Sequence, residues 1–456
     1  MSLKLGQIPA VSTPEIKLLH RIFKDNNYMI RIAGGAVRDI ILEKNPDDID
    51  FATDALPDQM VEMFTKEEIR MLNKNGLSHG TVTVRINDKE NYEITTLRID
   101  RNPDGRHCEV EFTKDWLKDA ERRDLTINAL FLELHLNETE ETTGTLIDYF
   151  DGQKDLLSRK IRFVNDPASR IDEDYLRILR YFRFYARFTK FEDAHKHDEK
   201  VLDIIHERSD KLSTISGERL WVEMRKIMAY KTSAKVIPVM QRCGVLRQIG
   251  IDQKIGQDIF GDLIETDFFD SQPEPTTVLS VLVRDKETVQ CVRDRMKISN
   301  YDFNILEYLI LQRGMLTELF ATRDSNKIIK HFQGFVILST DSKRMITVSR
   351  EAIKVHSLDK DQRTELLETW NKWSIPKFPT NGRSVLETWS EVNNRQLSGI
   401  LNHLKTLWVQ SDFTLTEDNL LEKAVYQDML DKKIIVPSDN GSPKVKKIKT
   451  CCNNEE

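Results

Sequence analysis

Two aspartates one residue apart, Asp48 and Asp50, close the stretch RIAGGAVRDIILEKNPDDIDFAT, from Arg31 to Thr53. Alternate residues of a strand share a face, so both carboxylates project together if Ile49, Asp50 and Phe51 are extended. Side by side, two such charges repel unless a cation lies between them. Hard divalent ions such as Mg2+ take one or two carboxylates and complete their shell with phosphate oxygens or water. Asp-x-Asp at a strand end therefore suggests a metal site for phosphoryl chemistry. The plainer alternative is a solvated turn or a helix cap after Pro46. Glu93 offers a third carboxylate on a neighbouring strand, or only a solvent-facing strand residue.

An anion-binding element precedes the pair. Tyr28 to Ala33 reads as a short apolar strand, broken at Gly34 and Gly35 where a helix over Ala36 to Leu42 begins. Glycines let backbone N–H groups approach a triphosphate, and a helix N-terminus adds partial positive charge. Arg38, in the first turn, can reach the same anion or merely pair with Asp39 on the surface. Farther along, Arg122, Arg123 and Asp124 open a helix-like segment, with Asn128 four residues after Asp124 on the same face. Arg123 can then meet a phosphate while Asp124 accepts from a ribose hydroxyl; the alternative is Asp124 as an N-cap with the arginines in solvent. Turn residues make Asn102 to His107 a loop, placing Arg98, Arg101 and Arg106 within reach of phosphate or on a plain surface turn.

Arg170 to Phe188 carries the strongest helical pattern. Ile171, Tyr175, Ile178, Phe182 and Tyr185 form one apolar stripe. Asp174, Arg177, Arg180, Arg183 and Arg187 form a second row, which predicts acids or polyanions opposite it. The alternative is an intrahelical Asp174–Arg177 pair, worth little when exposed.

These residues need a scaffold. Around them, alternation in Gly80 to Ile86 and Tyr92 to Leu97 predicts strands, and Leu56 to Lys66 a helix beginning near Pro57. Together these give an α/β palm. Beyond residue 200 the pattern is helical to the end, with a helix started by Ser213 to Arg219 and punctuation at Pro273, Pro275, Pro376 and Pro379. At 456 residues and 53.2 kDa, 39% hydrophobic and 31% charged, the chain is too long for one core. We expect a helical lead-in at 1–27, a palm at 28–147, a neck at 148–205, two helical parts at 206–340 and 341–436, and a disordered basic tail at 437–456. That tail carries a short lysine cluster, a nuclear-localisation patch or simply solvation.

The net charge of −6 argues against binding nucleic acid by overall charge. Residues 159–187 nevertheless hold eight Lys or Arg against four acids, so a basic patch is available. The five cysteines show no paired spacing, which excludes a CxxC zinc site and fits a reducing compartment. No apolar run reaches 18 residues, so no membrane span is expected. The first 30 residues mix basic and acidic side chains and make a poor mitochondrial presequence.

GGAVRD followed by DIDF, then RRDLTINA from Arg122 and EDYLR from Glu173, resembles the class II tRNA nucleotidyltransferases (CCA-adding enzymes) and their poly(A) polymerase relatives in the DNA polymerase β superfamily. The resemblance covers roughly residues 25–230. It implies an α/β nucleotidyltransferase palm followed by an all-α half, as head, neck, body and tail. It further implies Mg2+ on Asp48 and Asp50, with Glu93 as a third catalytic carboxylate. The triphosphate would be gripped by Gly34, Gly35, Arg38 and Arg123, with Arg180 and Arg183 nearby and Asp124 on the ribose. Asp174 and Arg177 would read the base of CTP or ATP. tRNA is the implied partner, a homodimer is left open, and the location is mitochondrion and cytoplasm or nucleus. A poly(A) polymerase and a catalytically inactive RNA-binding protein stand as alternatives.

Overall fold

Period-two alternation builds the palm. In the computed structural model, described over residues 2–5, 8–73, 76–101, 109–136, 142–252 and 260–435, strand Thr81–Ile86 buries Val82, Val84 and Ile86 while its other side chains stay partly open. The strands are β1 (Ser2–Lys4), β2 (Ile30–Ala33), β3 (Asp50–Thr53), β4 (Arg70–Asn73), β5 (Thr81–Ile86), β6 (Glu90–Thr96), β7 (Arg98–Arg101), β8 (Glu109–Phe112), β9 (Leu130–Leu136) and β10 (Thr142–Asp148). Eight of them form one sheet in the order β1-β10-β9-β2-β3-β6-β5-β4, and β7 pairs with β8 separately. Within the large sheet β3 and β6 run parallel, and the other pairs are antiparallel.

Helices in this region are α1 (Pro14–Asp25), α2 (Gly35–Ile41), α3 (Pro57–Lys66), α4 (Trp116–Glu121), α5 (Gly152–Leu157), α6 (Pro167–Glu173), α7 (Arg177–Phe188), α8 (Glu199–Arg208) and α9 (Gly217–Met228). Thr13 caps α1 by accepting from the Ile16 amide, and Pro14 supplies a preset φ at the first position. The expected lead-in is helical over α1, but β1 precedes it and closes the sheet edge against β10. Ile16, Val37 and Met60 from α1, α2 and α3 share one core with Ile32, Phe51 and Val84 of the sheet. Ala33, Ala52 and Phe131 face the other way, against Trp116 and Ala120 of α4. Asp50 lies two residues before Ala52, so period-two geometry turns it toward the α4 side.

The pattern over Arg170 to Phe188 departs from one continuous helix. It is two helices, with Asp174 extended at φ −154° and ψ 107° between them. The Asp174 carboxylate accepts from the Leu176 amide at 3.1 Å, a local bond that competes with helix continuation. Likewise Arg122 does not open a helix; it caps the C-terminus of α4, and a 3-10 turn follows over Thr126–Asn128.

The chain divides into two compact units, one ending at Leu311 and the other beginning at Gln312. The second is helical in its described residues, with helices such as Ser325–Leu338 and Lys360–Lys372 capped by Asp324 and Asp359. One of its cores gathers Ile337, Trp389, Leu404, Trp408 and Met429. Among the described residues no helix is long and apolar enough to cross a membrane. The loop at Asn102 to His107, with Arg106, and the tail at 437–456 lie outside the described residues.

Candidate active site

The strand-to-helix turn is built as a cradle. Gly34 adopts φ +66°, a left-handed conformation that favours glycine, and its N–H donates to the Leu130 carbonyl at 3.1 Å. A Cβ on Gly34 would sit 3.4 Å from Arg123 Nη1, and one on Gly35 3.5 Å from Arg38 Nη2, so both guanidiniums lie directly over the turn.

Asp50 and Glu93 are register partners on the parallel strands β3 and β6. Both line a cavity of about 250 Å3 with Gly34, Arg98, Arg122 and Arg123. Asp48, exposed just before β3, is close enough to act on Asp50 electrostatically. Asp50 is solvent-accessible, yet the surrounding cleft raises its carboxyl: desolvation contributes most, then the charges of Glu93 and Asp48, against relief from Arg123. Among the described residues no side chain donates a hydrogen bond to these carboxylates, and no three His, Cys, Asp or Glu side chains close into a metal cluster. Asp50 and Glu93 thus keep open oxygen positions in the cavity, with Asp48 beside Asp50 but outside the cavity lining. That fits a hard divalent ion completed by water or phosphate oxygens.

A second cavity of about 500 Å3 shares Gly34, Arg98, Arg122 and Arg123 with the first and extends to Asp174, Arg177, Arg180 and Arg183. The carboxylates and the expected base-reading pair thus open onto adjoining spaces with common walls. Asp119, which sequence reasoning missed, organises those walls. Fully buried on α4, it accepts from Arg122 Nε at 2.8 Å, from Arg123 Nη2 at 3.0 Å and from the Arg98 amide at 3.2 Å. Burial alone would raise its carboxyl, but Arg122 and Arg123 override this and hold it below its usual value. The signal was present as helical spacing, since Asp119 precedes the two arginines by three and four residues.

The arginine row of α7 meets acids from four other places. Arg177 Nη1 donates to Glu173 at 2.6 Å, Arg180 Nε to Asp124 at 2.6 Å, Arg183 Nη1 to Glu223 at 3.2 Å and Arg187 Nη2 to Asp39 at 3.2 Å. The intrahelical Asp174–Arg177 pair does not form; Asp174 accepts instead from Arg219 Nη2 of α9 at 2.8 Å. Three guanidiniums, those of Arg38, Arg180 and Arg183, lie within 4.9 to 5.6 Å of the Phe184 ring.

Asp124 is buried, and both its oxygens are engaged. Oδ1 accepts from Asn128 Nδ2 at 2.7 Å and from the Leu125 amide at 2.9 Å, while Oδ2 takes Arg180. One lone pair on Oδ2 remains open to a further donor. Burial pushes this carboxyl up, but Arg180 and Asn128 prevail and hold it well below the carboxylate range. Arg38 is also buried, donating Nη1 to Asn128 Oδ1 with its Nε unmatched. Its guanidinium is brought down to about 10, chiefly by burial and then by Arg187.

A palm sheet with paired carboxylates, a glycine cradle and an arginine-walled cavity defines the class as a nucleotidyltransferase. The family model "Poly A polymerase head domain" matches residues 30–162, and "Probable RNA and SrmB-binding site of polymerase A" matches residues 196–252. The mitochondrial CCA tRNA nucleotidyltransferase 1 of Danio rerio is 39% identical over 427 residues, covering 92% of this chain and 93% of that one. Its Homo sapiens counterpart is 39% identical over 422 residues, covering 92% of each. The solved Bacillus stearothermophilus CCA-adding enzyme in complex with CTP shares the fold at TM-score 0.71 and 20% identity, covering 93% of this chain and 99% of its own. The chain belongs to the CCA tRNA nucleotidyltransferase family.

Proposed function

We propose that this protein adds CCA to tRNA 3' ends without a nucleic-acid template, taking CTP and ATP and releasing pyrophosphate. The observation that carries the reading is the adjoining pair of cavities, one holding Asp50 and Glu93 and the other Asp174 and Arg177, with an arginine wall common to both. Asp48 and Asp50 would hold Mg2+. When bound, the metal supplies activation of the RNA 3'-hydroxyl and charge neutralisation at the leaving pyrophosphate. Gly34 and Gly35 offer backbone room for the triphosphate, and Arg123, pinned on Asp119, turns a fixed charge toward it.

Base choice follows from hydrogen-bond sign. Cytosine and adenine each present an amine donor beside a ring-nitrogen acceptor. Asp174 accepts the amine. Arg177 spends three N–H groups on Glu173 and the carbonyls of Arg170 and Arg122, which leaves two for the ring nitrogen. Guanine and uracil set acceptor against acceptor and donor against donor. Each mismatch costs about 1–3 kcal/mol, so both together give roughly two to four orders of magnitude of discrimination.

Location in the mitochondrion is extended to this chain from the relatives, whose names carry it. The test is labelled CTP and ATP with a tRNA lacking its 3' end. The native chain is expected to add two C and one A, and Asp50→Ala to add nothing. Runs of A without C would instead favour a poly(A) polymerase, and incorporation surviving Asp50→Ala would remove the catalytic assignment.

A further inference from the structure

Each side chain proposed to read the base is held from behind by an opposite charge. Arg177 is held by Glu173 at 2.6 Å and by the carbonyls of Arg170 and of the distant Arg122. Asp174 is held by Arg219, which comes from α9 and donates Nη2 to Oδ2 at 2.8 Å. The other oxygen, Oδ1, accepts from the Leu176 amide. Among the described residues Arg219 is the one side chain that donates to this carboxylate, and it lines the same cavity.

Geometry makes that bond matter for selectivity. An Asp carboxylate turns easily about its last torsion, whose preference is broad and two-fold. Refusing a carbonyl-bearing base depends on an oxygen that stays in the way, because specificity here is repulsion as much as attraction. Asp174 lies in the extended break between α6 and α7, so no helical turn below it fixes its orientation. The Leu176 amide and Arg219 grip one oxygen each, which locks the plane of the group. Each gripped oxygen still has a lone pair for an exocyclic amine.

We propose that Arg219 is a specificity-determining positioning residue: through Asp174 it keeps uracil and guanine out of the site while leaving cytosine and adenine welcome. The inference rests on the function proposed above and deepens it. Without Arg219 the carboxylate swings aside, the clash with a carbonyl is relieved, and the wrong nucleotides gain relative to the right ones.

The experiment measures kcat/KM for CTP, ATP, UTP and GTP singly on a tRNA lacking its 3' end, using the full chain. Arg219→Gln is expected to lower the CTP-to-UTP ratio by about tenfold or more. Arg219→Lys, which keeps the charge but not the planar fork, should fall between the two. In an Asp174→Ala background, Arg219→Gln should change the ratio by less than about twofold, since the coupling partner is gone. An equal slowing of all four nucleotides, or the same drop in the ratio with and without Asp174, overturns the proposal in favour of a merely structural role. Should Arg219→Gln fail to fold, Arg219→Lys is scored by the same ratio, and native selectivity in it overturns the proposal. A native chain that adds no C to the primer overturns the functional reading itself, and the inference with it. Faithful CCA addition with a ratio indifferent to position 219 overturns the inference alone.

Discussion

Arg180→Met removes a charge from the cavity wall and keeps the aliphatic stem. Asp124, 6% exposed, then has no cation at Oδ2, while Oδ1 retains Asn128 and the Leu125 amide. Deleting one partner of a buried ion pair costs about 3–5 kcal/mol. The Arg180 side chain is 32% exposed, so water relieves part of that loss. About 2–3 kcal/mol is the expected destabilisation of the first unit. The sign of its pH dependence follows from Asp124, whose carboxyl is held well below its usual value in the fold. A depressed carboxyl contributes stability that is complete above the unfolded value of about 4 and is lost as pH falls through the folded value. The gap between native and variant should therefore be widest near neutral pH and narrow in acid. Urea denaturation followed by tryptophan fluorescence, at pH ~7 and at pH ~2.5, below the unfolded value, measures it. Arg180→Met/Asp124→Asn, which replaces the stranded charge by an amide, should regain at least half of the loss. A gap under about 0.5 kcal/mol at neutral pH, a gap that does not change with pH, or a double variant no better than the single one refutes the reasoning.

Mg2+ affinity, measured by calorimetry without RNA, should weaken as pH falls toward the raised Asp50 carboxyl, because a protonated carboxyl cannot ligate. Glu93→Gln removes one of the charges that raises it and should move that loss to lower pH; an unmoved midpoint contradicts the assignment. Asp119→Asn leaves Arg122 and Arg123 with a neutral acceptor and should weaken CTP binding by about tenfold at a temperature where the chain is folded, since roughly 1.4 kcal/mol of charge-assisted bonding is lost. An unchanged Kd for CTP would mean that the two arginines hold their places without it.

Much of the palm was legible because its strands alternate and its glycines fall where the chain turns. Val82, Val84 and Ile86 reach the core as their spacing requires, and Asp50 meets Glu93 because both lie on the polar face of adjacent strands. The break at Asp174 was not legible. Residues 170–188 hold neither Gly nor Pro, and their apolar stripe runs on in register through Ile171 and Ile178. What stops the helix is a side chain bonding to its own backbone while a guanidinium 45 residues later holds it. Such a contact has no local trace. Arg219 and Glu223 were hidden for the same reason: they become partners of α7 only when α9 packs beside it. Arg38 illustrates a subtler gap. Its position in the turn was readable, but its burial against Phe184 was not.

The parallel alignment of β3 with β6 sets Asp50 opposite Glu93 across a connection that spans α3, β4 and β5. Adding or removing one residue inside β6 would invert its side chains, swinging Glu93 into oil and Ile94 into the cleft. The same edit in the links around α3 would leave the alignment untouched. The register thus predicts that length changes here are tolerated only in the connectors, and a library of random single-residue insertions should return active clones from those connectors and none from the two strands.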